Sequence, residues 1–183
     1  MSKIILALVG LPGSGKTEAT EYLMKKTGWP KVYFGDVTFD EMKRINLSIN
    51  EVNERETRER IRKELGMGAY AILSIPKIKE FLKNSNVIVE SLYSWEEYLE
   101  MKKEFGDSFK VLAIFAPPEM RADRLTNRPI RPFTKEEFVS REYAQIENLH
   151  QAGPIARADF FVVNEGTKED LQKQLDEIIK KLS

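Results

Sequence analysis

Short apolar runs alternate along this chain with segments whose apolar residues recur at helical spacing. Ile4 to Val9 is a continuous apolar run, the mark of a strand buried on both faces of a parallel sheet. Glu18 to Lys26 then has helix-forming residues with apolar positions one helical turn apart. Gly28-Trp29-Pro30 breaks that pattern, and Val32 to Phe34 reads as a second strand ending at Gly35-Asp36. From Asp40 to about Leu65 the chain is polar and charged. The pattern there predicts one or two projecting helices anchored by Ile45, Leu47, Ile49, Val52 and Ile61. Ala69 to Leu82 has helical periodicity, with Pro76 expected to kink or break it.

Val87 to Val89 forms a third strand ending at Glu90, and Trp95 to Phe105 a helix with Trp95, Tyr98, Leu99 and Met101 facing inward. A fourth strand, Val111 to Phe115, is stopped by Pro117-Pro118, and a helix from Glu119 to Asn127 runs into an Arg-rich segment, Arg121 to Arg131. Thr134 with Glu137 three residues on forms a capping box for a helix expected to reach about His150. Phe160 to Val163 is the fifth strand, and Thr167 to Leu182 is a closing amphipathic helix. Five strands with crossover helices predict an α/β chain: a three-layer, five-stranded parallel sheet with helices on both faces and its ligand site at the strands' C-terminal ends. The length of 183 residues fits one domain.

Composition narrows the function. Lys plus Arg and Asp plus Glu are 29 each, so the chain is neutral overall and no nucleic-acid partner is expected. The absence of cysteine excludes disulfides, a thiol nucleophile and a cysteine–zinc site. Its longest apolar runs are too short to span a bilayer, so the expectation is a cytoplasmic protein with no membrane partner.

The chemistry is carried by Gly10-Leu11-Pro12-Gly13-Ser14-Gly15-Lys16-Thr17, which fits the phosphate-binding loop G-x-x-x-x-G-K-[ST] at every fixed position. It leaves a predicted strand and opens a predicted helix, as that loop requires. The glycines let backbone N–H groups approach phosphate oxygens, and the helix N-terminus adds partial positive charge. Lys16 would reach the β- and γ-phosphates and the Thr17 hydroxyl would ligate Mg²⁺, with Pro12, Gly13, Ser14, Gly15 and Glu18 completing the nucleotide-binding stretch. ATP with Mg²⁺ is the predicted ligand.

Three patches extend the picture: Gly35-Asp36 at the second strand's end, Arg124-Leu125-Thr126-Asn127-Arg128, and the tail from Ala158-Asp159-Phe160 to Asn164-Glu165-Gly166. With the loop, they resemble P-loop nucleoside monophosphate kinases, particularly adenylate kinase-related and dephospho-CoA kinase-like proteins, over nearly the whole chain. The resemblance implies a P-loop NTPase fold with core 1–36, 69–126 and 138–183, an acceptor-binding helical insert over 37–68 and an Arg-rich lid over 127–137. It implies transfer of the γ-phosphoryl of ATP to a small acceptor by a monomer or homodimer, with AMP the first acceptor and dephospho-CoA the second. The departures are specific. Phe39 stands where an acceptor-gripping Arg is usual, Tyr93 and Ser94 stand where another Arg commonly follows the third strand's acid, and that acid is Glu90. A nucleotide-binding regulatory module without transfer is the alternative.

Residue by residue, each candidate has a functional and a structural reading. Asp36 either orients the acceptor or caps the next helix. Glu90 either serves the metal's water shell or the acceptor, or is a buried acid hydrogen-bonded to the loop. Arg124, Arg128, Arg131 and Arg141 either converge on the transferred phosphoryl or form a solvated basic face. Arg58 and Arg62, one helical turn apart, replace the missing acceptor Arg, with Arg44 in reserve, or pair with Glu54 and Glu59. Phe39 and Tyr93 would flank an acceptor base or belong to the core.

Overall fold

A computed structural model describes residues 3–129 and 132–182. The alternating apolar runs form five parallel strands: β1 (Ile5–Val9), β2 (Lys31–Tyr33), β3 (Val87–Glu90), β4 (Phe109–Phe115) and β5 (Phe160–Val163), in the order β2-β3-β1-β4-β5. β1 is central, pairing Ile5 with Val87 of β3 on one side and with Phe109 of β4 on the other. Residues alternate between two cores. Ile5, Ala7, Val9, Val89 and Val111 face α4 (Ala69–Leu82) and α5 (Trp95–Phe105), whereas Leu6, Leu8, Ile88, Leu112 and Val162 face α1 (Lys16–Thr27) and α9 (Lys168–Leu182). Burial on both sides is why β1 and β3 read as unbroken apolar runs, whereas Phe161 and Val163 of the edge strand β5 are exposed.

α2 (Asp36–Arg44) and α3 (Glu51–Leu65) leave the sheet after β2. Arg60 of α3 donates to Glu41 of α2 at 2.6 Å, and the Thr38 and Tyr70 hydroxyls, on α2 and α4, bond at 2.7 Å. Of the five expected anchors only Ile61 is buried; Ile45, Leu47, Ile49 and Val52 are exposed. Thr57, one turn before Ile61, supplies the second buried position. The α3 face is thus defined by a polar residue that hydrophobic periodicity cannot see.

α4 runs unbroken through Pro76. Pro76 and Ile72, whose carbonyl a residue with an N–H at position 76 would bond, both lie on the exposed side of the helix, so the bond that proline cannot make is lost there and not in the core. Leu99 is exposed and the buried stripe of α5 is Glu97, Tyr98 and Met101. β4 starts two residues before the expected position, and α6 (Pro118–Thr126) follows it. The capping box at Thr134 is present, but α7 (Lys135–Glu147) stops short of His150, which takes a left-handed φ of 52°. A short helix without a sequence forecast, α8 (Ala152–Ala156), follows there. Gly153 is needed at its start, since a Cβ would meet the Trp95 ring at 2.7 Å.

Candidate functional site

The phosphate loop leaves the central strand and α1 begins at Lys16, so the helix N-terminus directly follows the loop. Gly13 and Gly15 take φ of 80° and 100°, and a Cβ on Gly13 would meet the Arg121 carbonyl at 2.6 Å. The Ser14 side chain is fully buried, with its Oγ unpartnered among the described residues. The loop is held from outside by two amides. Gln151 Nε2 donates to the Gly10 carbonyl at 3.0 Å and Asn164 Nδ2 to the Ser14 carbonyl at 2.9 Å.

Lys16 Nζ donates to the carbonyls of Gly10 at 2.6 Å and Leu11 at 3.1 Å. Burial lowers its ammonium pKa to about 8; the Glu90 carboxylate opposes that shift and Arg121 adds to it. Such a lysine is short of an anion, and a phosphate chain on the loop would supply one.

Two cavities meet here. The larger, about 1000 Å³, is lined by Pro12, Gly13, Gly15, Lys16 and Thr17 together with Glu90, Arg124, Arg128, Phe133 and Arg141. The smaller, about 350 Å³, lies between β2, α2, α3, α4 and α7 and is lined by Phe39, Arg58, Arg62, Tyr70, Tyr93 and Glu97 among others. Seven residues line both: Tyr33, Glu54, Arg58, Ser91, Tyr93, Arg141 and Gln145. The two spaces are therefore neighbours across a shared wall of residues, with the phosphate loop on one side only.

Most of the expected residues converge. Arg124 donates to the carbonyls of Gly13 at 3.4 Å and Asn164 at 2.9 Å. Arg128 and Arg141 lie over the Phe133 ring at 4.5 and 5.8 Å. Glu90 is buried at the end of β3, beside Leu8 of β1, and accepts from Lys31 at 2.6 Å. Tyr93 bonds Ser91 through their hydroxyls at 3.0 Å, and burial raises its phenol pKa. Arg58 faces Glu54 at 3.5 Å, as one of the two readings allowed, yet still lines both cavities. Arg62 lies over the Tyr70 ring at 5.0 Å.

Others are placed elsewhere. Asp36 is the first residue of α2, makes no capping bond, and pairs with Lys77 at 3.2 Å outside the lining of both cavities. Glu18 pairs with Lys168 at 3.0 Å, also outside them. Arg44 is engaged with Glu41 at 2.6 Å. Arg131 lies outside the described residues.

Arg121 went unrecognised by the sequence reading, though it lies in the Arg-rich segment. It is buried, donates to the carbonyls of Ala116 at 2.9 Å and Pro12 at 3.3 Å, pairs with Glu142 of α7, and lies over Phe138. Gln145 and Glu97 were likewise unforeseen. Glu97 is almost fully buried, accepting from the backbone N–H of Tyr93 at 2.7 Å and Ser94 at 3.0 Å, and its pKa is pushed up to about 7 by burial.

The loop suits a phosphate chain: a helix N-terminus behind it, a buried hydroxyl unpartnered among the described residues and an ammonium bonded to two loop carbonyls. Among the described residues no three His, Asp or Glu side chains group as metal ligands. A Mg²⁺ here would take phosphate oxygens and the Thr17 hydroxyl, with Glu90 the buried acid of the same cavity.

Comparison with known proteins agrees with this geometry. A family profile described as an AAA domain matches residues 9–138. A UPF0200 protein of Pyrococcus abyssi is 36% identical, covering 98% of this chain and 97% of its own, and one of Thermococcus onnurineus is 31% identical with 98% of each covered. Among solved structures, a shikimate kinase of Bacteroides thetaiotaomicron superposes with a TM-score of 0.61 at 15% identity, 98% of each chain covered. A gluconokinase of Sinorhizobium meliloti gives 0.56 at 12% identity over 99% of this chain and 95% of its own. The chain therefore belongs to the UPF0200 family, carries an AAA domain, and is built on the P-loop kinase fold.

Proposed function

We propose that this protein transfers the γ-phosphoryl group of ATP to a small acceptor, with a nucleoside monophosphate such as AMP the first acceptor to test. The supporting observation is the pair of cavities that share seven lining residues, with the phosphate loop on one side and arginines and aromatic rings on the other. Donor and acceptor held in those spaces face each other across Arg58 and Arg141. Phosphoryl transfer needs positioning and electrostatic stabilisation more than covalent chemistry. Lys16 holds the β- and γ-phosphates, Arg124 and Arg128 line the donor side, and Arg58 and Arg141 stabilise charge spread over the transferred oxygens. When bound, Mg²⁺ neutralises charge on the phosphate oxygens, with Thr17 as its protein ligand. Phe39 and Tyr93 give the acceptor apolar walls. The insert and lid boundaries at 37–68 and 127–137 belong to this reading.

A second reading, a nucleotide-binding module without transfer, is favoured by Asp36, which lies outside both cavities. ATP consumption separates the two. The panel holds nucleoside monophosphates and dephospho-CoA, with shikimate and gluconate added from the named neighbours. One acceptor should raise turnover by about 100-fold or more, and Lys16→Ala should abolish the rise. Tight ATP binding with no acceptor-stimulated turnover would overturn the transferase.

A further inference from the structure

We propose that the small cavity is a proton-coupled anion site, in which Arg62 holds a phosphate or carboxylate group of the acceptor while Glu97 takes up a proton. The inference rests on the phosphotransferase reading and deepens it: it says how the acceptor's charged group is anchored.

Three observations carry it. Arg62 lines the small cavity only, and its Nε is buried without a hydrogen-bond partner among the described residues. No carboxylate of the described residues lies within ion-pair distance of it, whereas Arg58, one turn away, has Glu54. A guanidinium resting on the Tyr70 ring with an unspent buried N–H is prepared for an anion. The second observation is Glu97, which lines the same cavity and spends one oxygen on the α5 capping box. Its charge acts on Arg62 through space without a salt bridge. The third is Gln145, nearly fully buried on α7 with its Oε1 unpartnered, at the wall shared with the phosphate-loop cavity. It leaves an amide free for the acceptor's remaining polar atoms.

The coupling has a definite sign. Ionised Glu97 offsets the Arg62 charge and repels an incoming anion; neutral Glu97 does neither. An anion on Arg62 therefore favours protonated Glu97, and binding strengthens as pH falls through about 7, where burial has placed this carboxyl. The charged and titratable groups that share the cavity with Glu97 are Tyr33 of β2, Glu54, Arg58 and Arg62 of α3, Tyr70 of α4, Tyr93 before α5 and Arg141 of α7, and Glu96 on its own helix, 3.8 Å from His150, also acts on it. None of these is removed by Glu97→Gln, which keeps the capping geometry because Gln serves at that position.

The test uses the full chain saturated with ADP and Mg²⁺, so that the phosphate loop is filled, and titrates sulfate and malonate by calorimetry between pH 6 and 8. Sulfate does not titrate in that range, so its pH dependence belongs to the protein. At least one of the two anions should bind, about tenfold more weakly in Arg62→Met and with partial recovery in Arg62→Lys. Its affinity should rise towards pH 6 in the native chain and stay flat in Glu97→Gln. Binding unchanged in Arg62→Met, no binding of either anion, or a pH slope that survives Glu97→Gln would overturn the proposal. Loss of the phosphotransferase reading has a different signature: ADP that does not bind, or binds equally well to Lys16→Ala.

Discussion

Lys16 holds its ammonium against the carbonyls of its own loop, and that arrangement has a thermodynamic sign. The unfolded chain binds this proton with the ordinary pKa of 10.5, the ligand-free fold with about 8. Between those values the unfolded state holds more protons, so this residue's contribution to stability rises with pH; below about 8 the buried charge is a full cost. Subtracting the denaturation midpoints of Lys16→Met from those of the native chain should leave a difference that climbs from pH 8 to 10. A flat difference would show that burial does not shift this group. Saturating ATP should reverse the trend, since phosphate stabilises the ammonium. At this scale the sequence was informative where a motif fixes the spacing: Lys16 and Thr17 were legible. Gln151 and Asn164, which hold the loop's carbonyls, join it across more than a hundred residues of chain. No local pattern marks them as partners. Asp36 shows the converse, because its place beside Gly35 suggested the site and its side chain turned to Lys77.

Arg121 acts between elements. From α6 it reaches the turn before its own helix, the phosphate loop and Glu142 on α7. Arg121→Met leaves the Glu142 carboxylate, only 13% exposed, unpaired and should cost about 3 kcal/mol. Arg121→Met with Glu142→Met should recover part of that loss in thermal denaturation. If the single variant is as stable as the native chain, Glu142 is not held by this pair. β1 and β3 were legible because two-sided burial writes itself as an uninterrupted apolar run; β5 shows the same run although Phe161 and Val163 are exposed. Helix faces were less so: Thr57 and Glu97 take buried positions, and Leu99 an exposed one. Hydrophobic periodicity assigns a face by composition. A capping box or a polar helix contact then rotates the true face away from it.

Over the whole molecule, Phe133 ties the two cavities together through Arg141: Arg128 and Arg141 both rest on its ring, Arg128 lines the large cavity and Arg141 lines both. Phe133→Ala should loosen both guanidinium groups at once and lower kcat/KM for ATP and acceptor together, by about tenfold or more. It should also raise acceptor-independent ATP hydrolysis, because the site then excludes water less well. A change confined to one substrate would show that the two sides are not joined through this ring.

The central position of β1 sets an order of events during synthesis. Ile5 is made well before its neighbours in the sheet, Val87 and Phe109. At roughly 5–20 residues per second, the ribosome needs about 5–20 s to supply both flanking strands. The Gly10 carbonyl waits longer still, for Gln151. The phosphate loop therefore precedes its partners in the chain and is completed after them in the fold. A phosphate ligand would have a nearly finished molecule to stabilise, and no assembled loop to hold before Gln151 is made.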